Sequence, residues 1–367
     1  MELYEKVYVD EDFLSDDPHG EIGCTTCHGG NPSDPNWKTA HGNVVKDPSF
    51  KNPKTACGDC HEEIVDSVKK SLHTTLEPYW NILHARMDTS NRAAMQKVSE
   101  AFGNHCASCH SSCGQCHISR PNAVAGGFVD GHFFHKRPYM ETNCTACHGS
   151  RVHDEYMGKN KGYPADVHYA KANMNCNKCH SAKEMHSADG HVMSRYQADV
   201  HQTCESCHPD AVSSDSPVEM HKIHQGKVEC QVCHSVTYKN CYGCHVGKDK
   251  MGLAYYQVDS TVMNFKIGKN PIKSKDRPYD FVLLRHVPTN THLFDYYVKD
   301  AFPNFDKLPT FKYATPHNIQ RKTPQTASCN ACHGNKKLFL TKENIPPNEL
   351  KANASVIVKE SEIPPKQ

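Results

Sequence analysis

Short α-helices joined by long loops, with few strands and little apolar core of its own, is the architecture this sequence predicts. Three observations predict it. The pentapeptide Cys-x-x-Cys-His occurs ten times and uses all 20 cysteines. Hydrophobic residues make up 37% of the 367 residues, low for a globular chain of this length. Gly, Pro, Asn and Asp interrupt the chain every few residues, which keeps regular elements short.

The motifs comprise Cys24, Cys27 and His28; Cys57, Cys60 and His61; Cys106, Cys109 and His110; Cys113, Cys116 and His117; Cys144, Cys147 and His148; Cys176, Cys179 and His180; Cys204, Cys207 and His208; Cys230, Cys233 and His234; Cys241, Cys244 and His245; and Cys329, Cys332 and His333. This spacing is the attachment signature of a c-type haem. The two thiols add across the haem vinyl groups, and the adjacent His ligates the iron. With no cysteine left over, ten haems c are the expected cofactors. About 37 residues per motif is too little protein to wrap each haem separately. The fold class expected is therefore a loop-rich chain with short α-helices wrapped around a closely packed haem chain, the stack standing in for the missing core. Each haem would clip the chain at three points, which stabilises a long flexible polypeptide most.

Five segments follow in order. Residues 1–20 read as an N-terminal arm and residues 21–245 as a nine-haem body. His110 and His117 lie seven apart and His234 and His245 eleven apart, a spacing expected of neighbouring haems with nearly parallel rings. The competing reading of the first pair is a disulfide, Cys106 with Cys109 or one of these with Cys113. Residues 62–102 carry the best helical pattern, in Ile64, Val65, Val68, Leu72, Leu76, Ile82 and Leu83, with Pro78 expected to interrupt it. Residues 246–328 lack cysteine and are rich in aromatics, including the strand-like run Phe281, Val282, Leu283 and Leu284. They read as a haem-free segment capping haems. The tenth motif occupies 329–333. In the tail, 334–367, prolines bracket a strand-like run from Ala354 to Val358. A lone strand must pair with this chain or another. The tail is therefore either packed on its own subunit or partly disordered, or it serves with the N-terminal arm as a clasp between subunits. The few short β-strands are expected in 246–328 and in the tail.

A formal charge of +1 with no basic stripe argues against nucleic acid as a partner. No apolar run approaches the roughly 18 residues of a membrane span. The first residues lack a basic start followed by an apolar stretch, while resemblance to the cytochrome c class implies haem attachment outside the cytoplasm. An extracytoplasmic protein whose leader has been removed is the expectation, extracellular or at the cell surface, with the periplasm as the alternative.

The chain has 27 histidines, ten of them in motifs, and the rest suffice to give every iron a second axial imidazole. The candidate distal ligands are His41, His73, His84, His132, His168, His186, His201, His221, His224, His286 and His317. His41, His168, His201 and His224 precede motifs by short loops; His73 and His186 follow motifs within reach. Gly131 before His132 allows close approach to a flat ring. His286 and His317 lie in the haem-poor segment and could reach back. His19, His153 and His292 read as surface or hydrogen-bonding histidines.

On its ten motifs the chain resembles the multihaem c-type cytochromes of anaerobic bacteria and archaea, and the run from Cys106 to His117 is similar to a double motif seen in some octahaem and larger members. The resemblance implies electron transfer in respiration, with redox proteins or extracellular acceptors such as metal oxides as partners. It also implies self-assembly in some relatives into filaments, or nanowires, with a continuous haem chain. An electron-transfer conduit of bis-histidine haems is the function expected, rather than an enzyme. The alternative is a multihaem reductase of nitrite, hydroxylamine or sulfur oxyanions, which needs one open or lysine-ligated haem; no Cys-x-x-Cys-Lys occurs.

Overall fold

One helical turn brings residues i, i+3 and i+4 to the same side of the chain, the arrangement the two thiols and the imidazole of each motif need. The computed structural model, which describes residue 2 and residues 8–51, 53–187, 190–197, 202–262 and 265–367, uses this turn repeatedly. Helices Cys24–His28, Cys113–His117 and Cys230–His234 each span a motif, and Cys204–Cys207 covers the thiols of another. Ser112 caps the second of these by accepting from the Gln115 N–H, and Thr203 caps the last by accepting from Ser206. The second motif lies inside Pro53–Val68, where the backbone leaves helical values at His61 (φ −117°, ψ 38°). Three further motifs use 3₁₀ turns, Ala107–Cys109, Cys176–Lys178 and Cys329–Ala331. The ninth is the exception. It lies on strand β1, Lys239–Lys248, where Gly243 at φ 62° and a register shift between Tyr242 and His245 break the strand within the motif.

The chain divides into two compact units, each assembled from separated segments. Unit 1 comprises Met1–Pro78, Cys106–His148 and Asn175–His201; unit 2 comprises Tyr79–His105, Gly149–Met174 and Gln202–Gln367. Unit 1 carries the first six motifs and unit 2 the last four, so the segment 21–245 read in sequence as one body is shared between them. The reason is apolar packing: Tyr79–His105 provides the sides of helices that bury against the aromatic segment.

Unit 1 is nearly coreless. Among its described residues only Phe13 and Val65 are buried apolar side chains, while Trp37 is 70% exposed. Pro78 does not interrupt a helix there. It sits in the first turn of Glu77–Arg86, where a missing N–H is tolerated, and the break falls at Leu76, in the left-handed region at φ 51°.

Unit 2 has a conventional interior. Leu83 and Met87 meet Ala94, Val98 and Ala101 of Arg92–His105, and together they pack on Phe294 and Phe302. Strand β1 pairs antiparallel with β2, Ala254–Val262. A separate antiparallel sheet has the order β3 (Phe265–Lys269), β4 (Phe281–His286), β5 (Phe311–Tyr313). Strand β4 is buried on both faces. Val282 and Leu284 face Phe311, Leu340 and Val356; Leu283 faces the other way, toward Ile267, Phe339 and Val358. The aromatic segment thus contributes much of the core of unit 2.

The tail corrects a second expectation. Ala354–Val356 is a 3₁₀ turn, not a strand, and no strand forms in 334–367. Val356 and Val358 are each 1% exposed against their own sheet. The Leu340 N–H donates to the Ile267 carbonyl at 2.8 Å, and the Val358 N–H to the Leu340 carbonyl at 2.9 Å. Gly268 permits this wrapping, because a Cβ there would meet the Val356 carbonyl oxygen at 3.0 Å. This part of the tail therefore packs in the chain's own core. Among the described residues, no helix is long and apolar enough to cross a membrane.

Candidate metal centres: paired histidines

Among the described residues, seven of the ten motif histidines face a second histidine at nearly constant spacing. In unit 1 the ring centroids are 6.2 Å apart for His28–His132, 6.2 Å for His61–His19, 6.1 Å for His148–His73 and 6.1 Å for His117–His186. In unit 2 they are 6.0 Å apart for His208–His168, 6.0 Å for His234–His221 and 6.2 Å for His333–His224. These distances are informative. With metal–nitrogen bonds of about 2 Å, two imidazoles on opposite sides of one ion have centroids about 6.3 Å apart, whereas a tetrahedral angle brings them to about 5 Å. The observed spacing therefore fits a trans pair that leaves the equatorial plane open to a flat four-coordinate ligand. Among the described residues no group of three or more His, Cys, Asp or Glu is arranged to hold a bare metal ion.

The Nδ1 contacts orient these rings. His28 Nδ1 lies 2.7 Å from the Val45 carbonyl, His117 Nδ1 2.7 Å from that of His135, His224 Nδ1 2.9 Å from that of Met220 and His234 Nδ1 3.1 Å from that of Gln320. Donation from Nδ1 leaves Nε2 as the free lone pair. Burial lowers the titration of His73, His132, His186 and His221, keeping them neutral and able to ligate.

The sequence candidates divide clearly. His73, His132, His168, His186, His221 and His224 are brought opposite motif histidines. His41 is exposed, with Nδ1 2.8 Å from the Trp37 carbonyl. His84 packs against Trp80 at 5.8 Å, and His286 stacks on Phe311 with Nε2 held 2.9 Å from Glu349. His317 places Nδ1 3.1 Å from the Thr315 carbonyl. His201 lies outside the described residues. His19, which the sequence places at the surface, stands opposite His61 and stacks on Phe134 at 3.8 Å. Its signal was local: Asp17-Pro18-His19 has the form of Asp166-Val167-His168. The remaining motif histidines have other contacts among the described residues. His110 meets Phe50 edge-on at 5.4 Å, His180 Nδ1 contacts Glu184 at 3.1 Å, and His245 Nε2 is 3.3 Å from the Asn290 amide.

The thiols link the motifs to one another. Cys57 is hydrogen-bonded to Cys113, Cys109 to Cys147, Cys144 to Cys176 and Cys204 to Cys230, each pair joining two different motifs. Sharing one proton pushes Cys109 down to about 6 and Cys113 and Cys144 to about 7, while their partners are pushed up. Cys27 lies within electrostatic range of Cys57, and Cys116 of Cys144. All six motifs of unit 1 are therefore connected through neighbouring thiols. In unit 2, Cys230 and Cys233 link the eighth motif to the seventh and, through Cys332, to the tenth. No disulfide is present among the described cysteines.

Comparison of the chain with protein-family models, with characterised proteins and with solved structures finds no match.

Proposed function

We propose that this chain is an extracytoplasmic electron-transfer protein that holds haems c in close succession within each of its two units. Seven trans-spaced histidine pairs, each containing a motif histidine, carry this reading. When bound, the haem supplies a one-electron ferric–ferrous couple. The chain's own residues do the rest. Each Cys pair would fix a ring edge through two thioethers, and each histidine pair would close both axial positions. At these seven sites a second imidazole would exclude substrate and keep the ligand set unchanged between oxidation states. The closeness of cysteines from different motifs, Cys57 to Cys113, Cys109 to Cys147, Cys144 to Cys176 and Cys204 to Cys230, would bring neighbouring ring edges together, as hopping between them requires.

The nearly coreless unit 1 supports the same reading, since six motifs there surround only two buried apolar side chains among its described residues. Its interior is completed by something other than protein. The test is the haem-to-protein ratio of the secreted protein, from the reduced pyridine haemochrome, with the kinetics of reduction by a small dye. The reading expects ten covalent haems that all reduce rapidly through common intermediates. A chain purified with no covalent haem, or with haems that do not exchange electrons, would refute it.

A further inference from the structure

Two of the paired histidines are held by carboxylates instead of carbonyls, one in each unit and in the same way. Asp17 caps the helix Pro18–Glu21, and its Oδ1 takes both the backbone N–H of His19, at 2.9 Å, and the His19 Nδ1, at 2.7 Å. Asp166 caps Val167–Ala172 and takes the N–H and the Nδ1 of His168, each at 2.8 Å. The second oxygen is tied to a remote strand of chain in both cases: Asp17 Oδ2 accepts from the Phe134 N–H at 3.2 Å, and Asp166 Oδ2 from the Ile319 N–H at 2.6 Å. Both carboxylates are buried, Asp17 at 9% and Asp166 at 2% exposure. The backbone donors lock the oxygens in place, so neither carboxylate can swing away from its ring. The Glu184 contact to His180 is different in kind, because that imidazole is 46% exposed and the distance is longer, at 3.1 Å.

We propose that Asp17 and Asp166 are positioning residues that set the two lowest-potential centres of the chain, one per unit, through His19 and His168. The inference rests on the electron-transfer reading above. A carboxylate at Nδ1 draws the ring proton toward itself and makes Nε2 a stronger donor than a carbonyl does. A stronger donor favours ferric over ferrous iron, so the potential falls. Burial strengthens the effect, since water does not screen the charge. The other Nδ1 contacts found on paired rings, to the carbonyls of Val45, His135, Met220 and Gln320, lack that charge. Electrons would therefore fill the carbonyl-supported centres first and leave one oxidised site in each unit at moderate driving force.

The experiment is a spectroelectrochemical titration of the intact holoprotein, of D17N, of D166N and of the double variant. Haem content and low-spin fraction are measured on the same samples. Asn keeps the helix cap and the shape and removes the charge. The unaltered protein should show two haems in ten at the low-potential end. Each single variant should move one tenth of the absorbance change upward by about tenfold in the reduction equilibrium, which is 59 mV for one electron; the double variant should move two tenths. Full haem content with an unshifted curve overturns the proposal and leaves the electron-transfer reading standing, whereas absence of haem overturns that reading itself. The two variants lie in different units, so one that loses haem leaves the other to decide. If both lose haem, an unaltered titration without a two-haem low-potential component overturns the proposal.

Discussion

The imidazoles of His224 and His333 stand 6.2 Å apart with their planes at 80°, although one belongs to a short helix and the other to the isolated tenth motif. His224 Nδ1 is occupied by the Met220 carbonyl, one turn back in the same helix, which leaves Nε2 toward His333. His224→Ala should therefore open one axial position. The expected result is that one haem in ten changes from low-spin to high-spin in the oxidised protein and gains the ability to bind cyanide or carbon monoxide. An unchanged spin state would remove His224 from the ligand set.

Leu340 is fully buried between the tail and β4, and its N–H and carbonyl both bond across to neighbouring chain. Leu340→Ala should cost about 3 kcal/mol by leaving a cavity. Removal of residues 349–367 should strip Val356 and Val358 from the sheet and unfold unit 2 at ordinary temperature. Calorimetry checks both. A truncated protein with unaltered melting would show that the tail contributes nothing to the core.

Arg277 holds Glu229 through an Nε–Oε1 contact of 3.0 Å, and its guanidinium lies 4.1 Å over the Tyr313 ring. Glu229 is 3% exposed on its side chain, and its other oxygen accepts from the Leu283 N–H at 2.8 Å. This ion pair anchors β4 directly beside Cys230. Arg277→Ala leaves a buried carboxylate without its cation and should cost about 3–5 kcal/mol. Denaturant titration followed by a unit 2 tyrosine signal measures it.

Glu155 is 1% exposed and accepts from the His317 N–H. Burial holds its carboxyl up at about 8, against an ordinary value of 4.5, with the His317 N–H and Arg151 opposing and Asp166 adding to the rise. The folded state therefore binds a proton that the unfolded chain has released. This contribution to stability is complete below pH 4.5 and is lost as pH rises to about 8. Glu155→Gln should flatten that part of the stability–pH curve. A variant with the same slope as the parent would place the titration elsewhere.

Much of this organisation was legible in the sequence. The ten motifs are plain in the sequence because their residues are contiguous. His73, His132, His168, His186, His221 and His224 were legible as candidates through their distance from motifs or through Gly131. His19 was missed because its place depends on a fold-back that no spacing encodes, although the repeated Asp-x-His form marks it. His84 packs on Trp80 and His286 contacts Glu349, and neither stands opposite a motif histidine among the described residues. The alternating β signal at Val356 and Val358 was real as burial. It misled as strand, because Asn353 turns the chain by hydrogen-bonding Thr310 and Phe311. The division into two units was hidden, since each unit is built from segments distant in sequence.

The most direct measurement of the central claim is low-temperature electron paramagnetic resonance of the fully oxidised protein, with spins counted against total haem. Ring-plane angles make the expected spectrum specific. His19–His61 rings lie at 22° and His117–His186 rings at 36°, and near-parallel ligands split the iron π orbitals and give rhombic low-spin signals. His28–His132 at 72°, His73–His148 at 86° and His224–His333 at 80° leave those orbitals nearly degenerate and give single large-g features. The account predicts both classes together, with at least seven low-spin irons per chain. A spectrum dominated by high-spin iron, or one with no low-spin ferric signal, would contradict it.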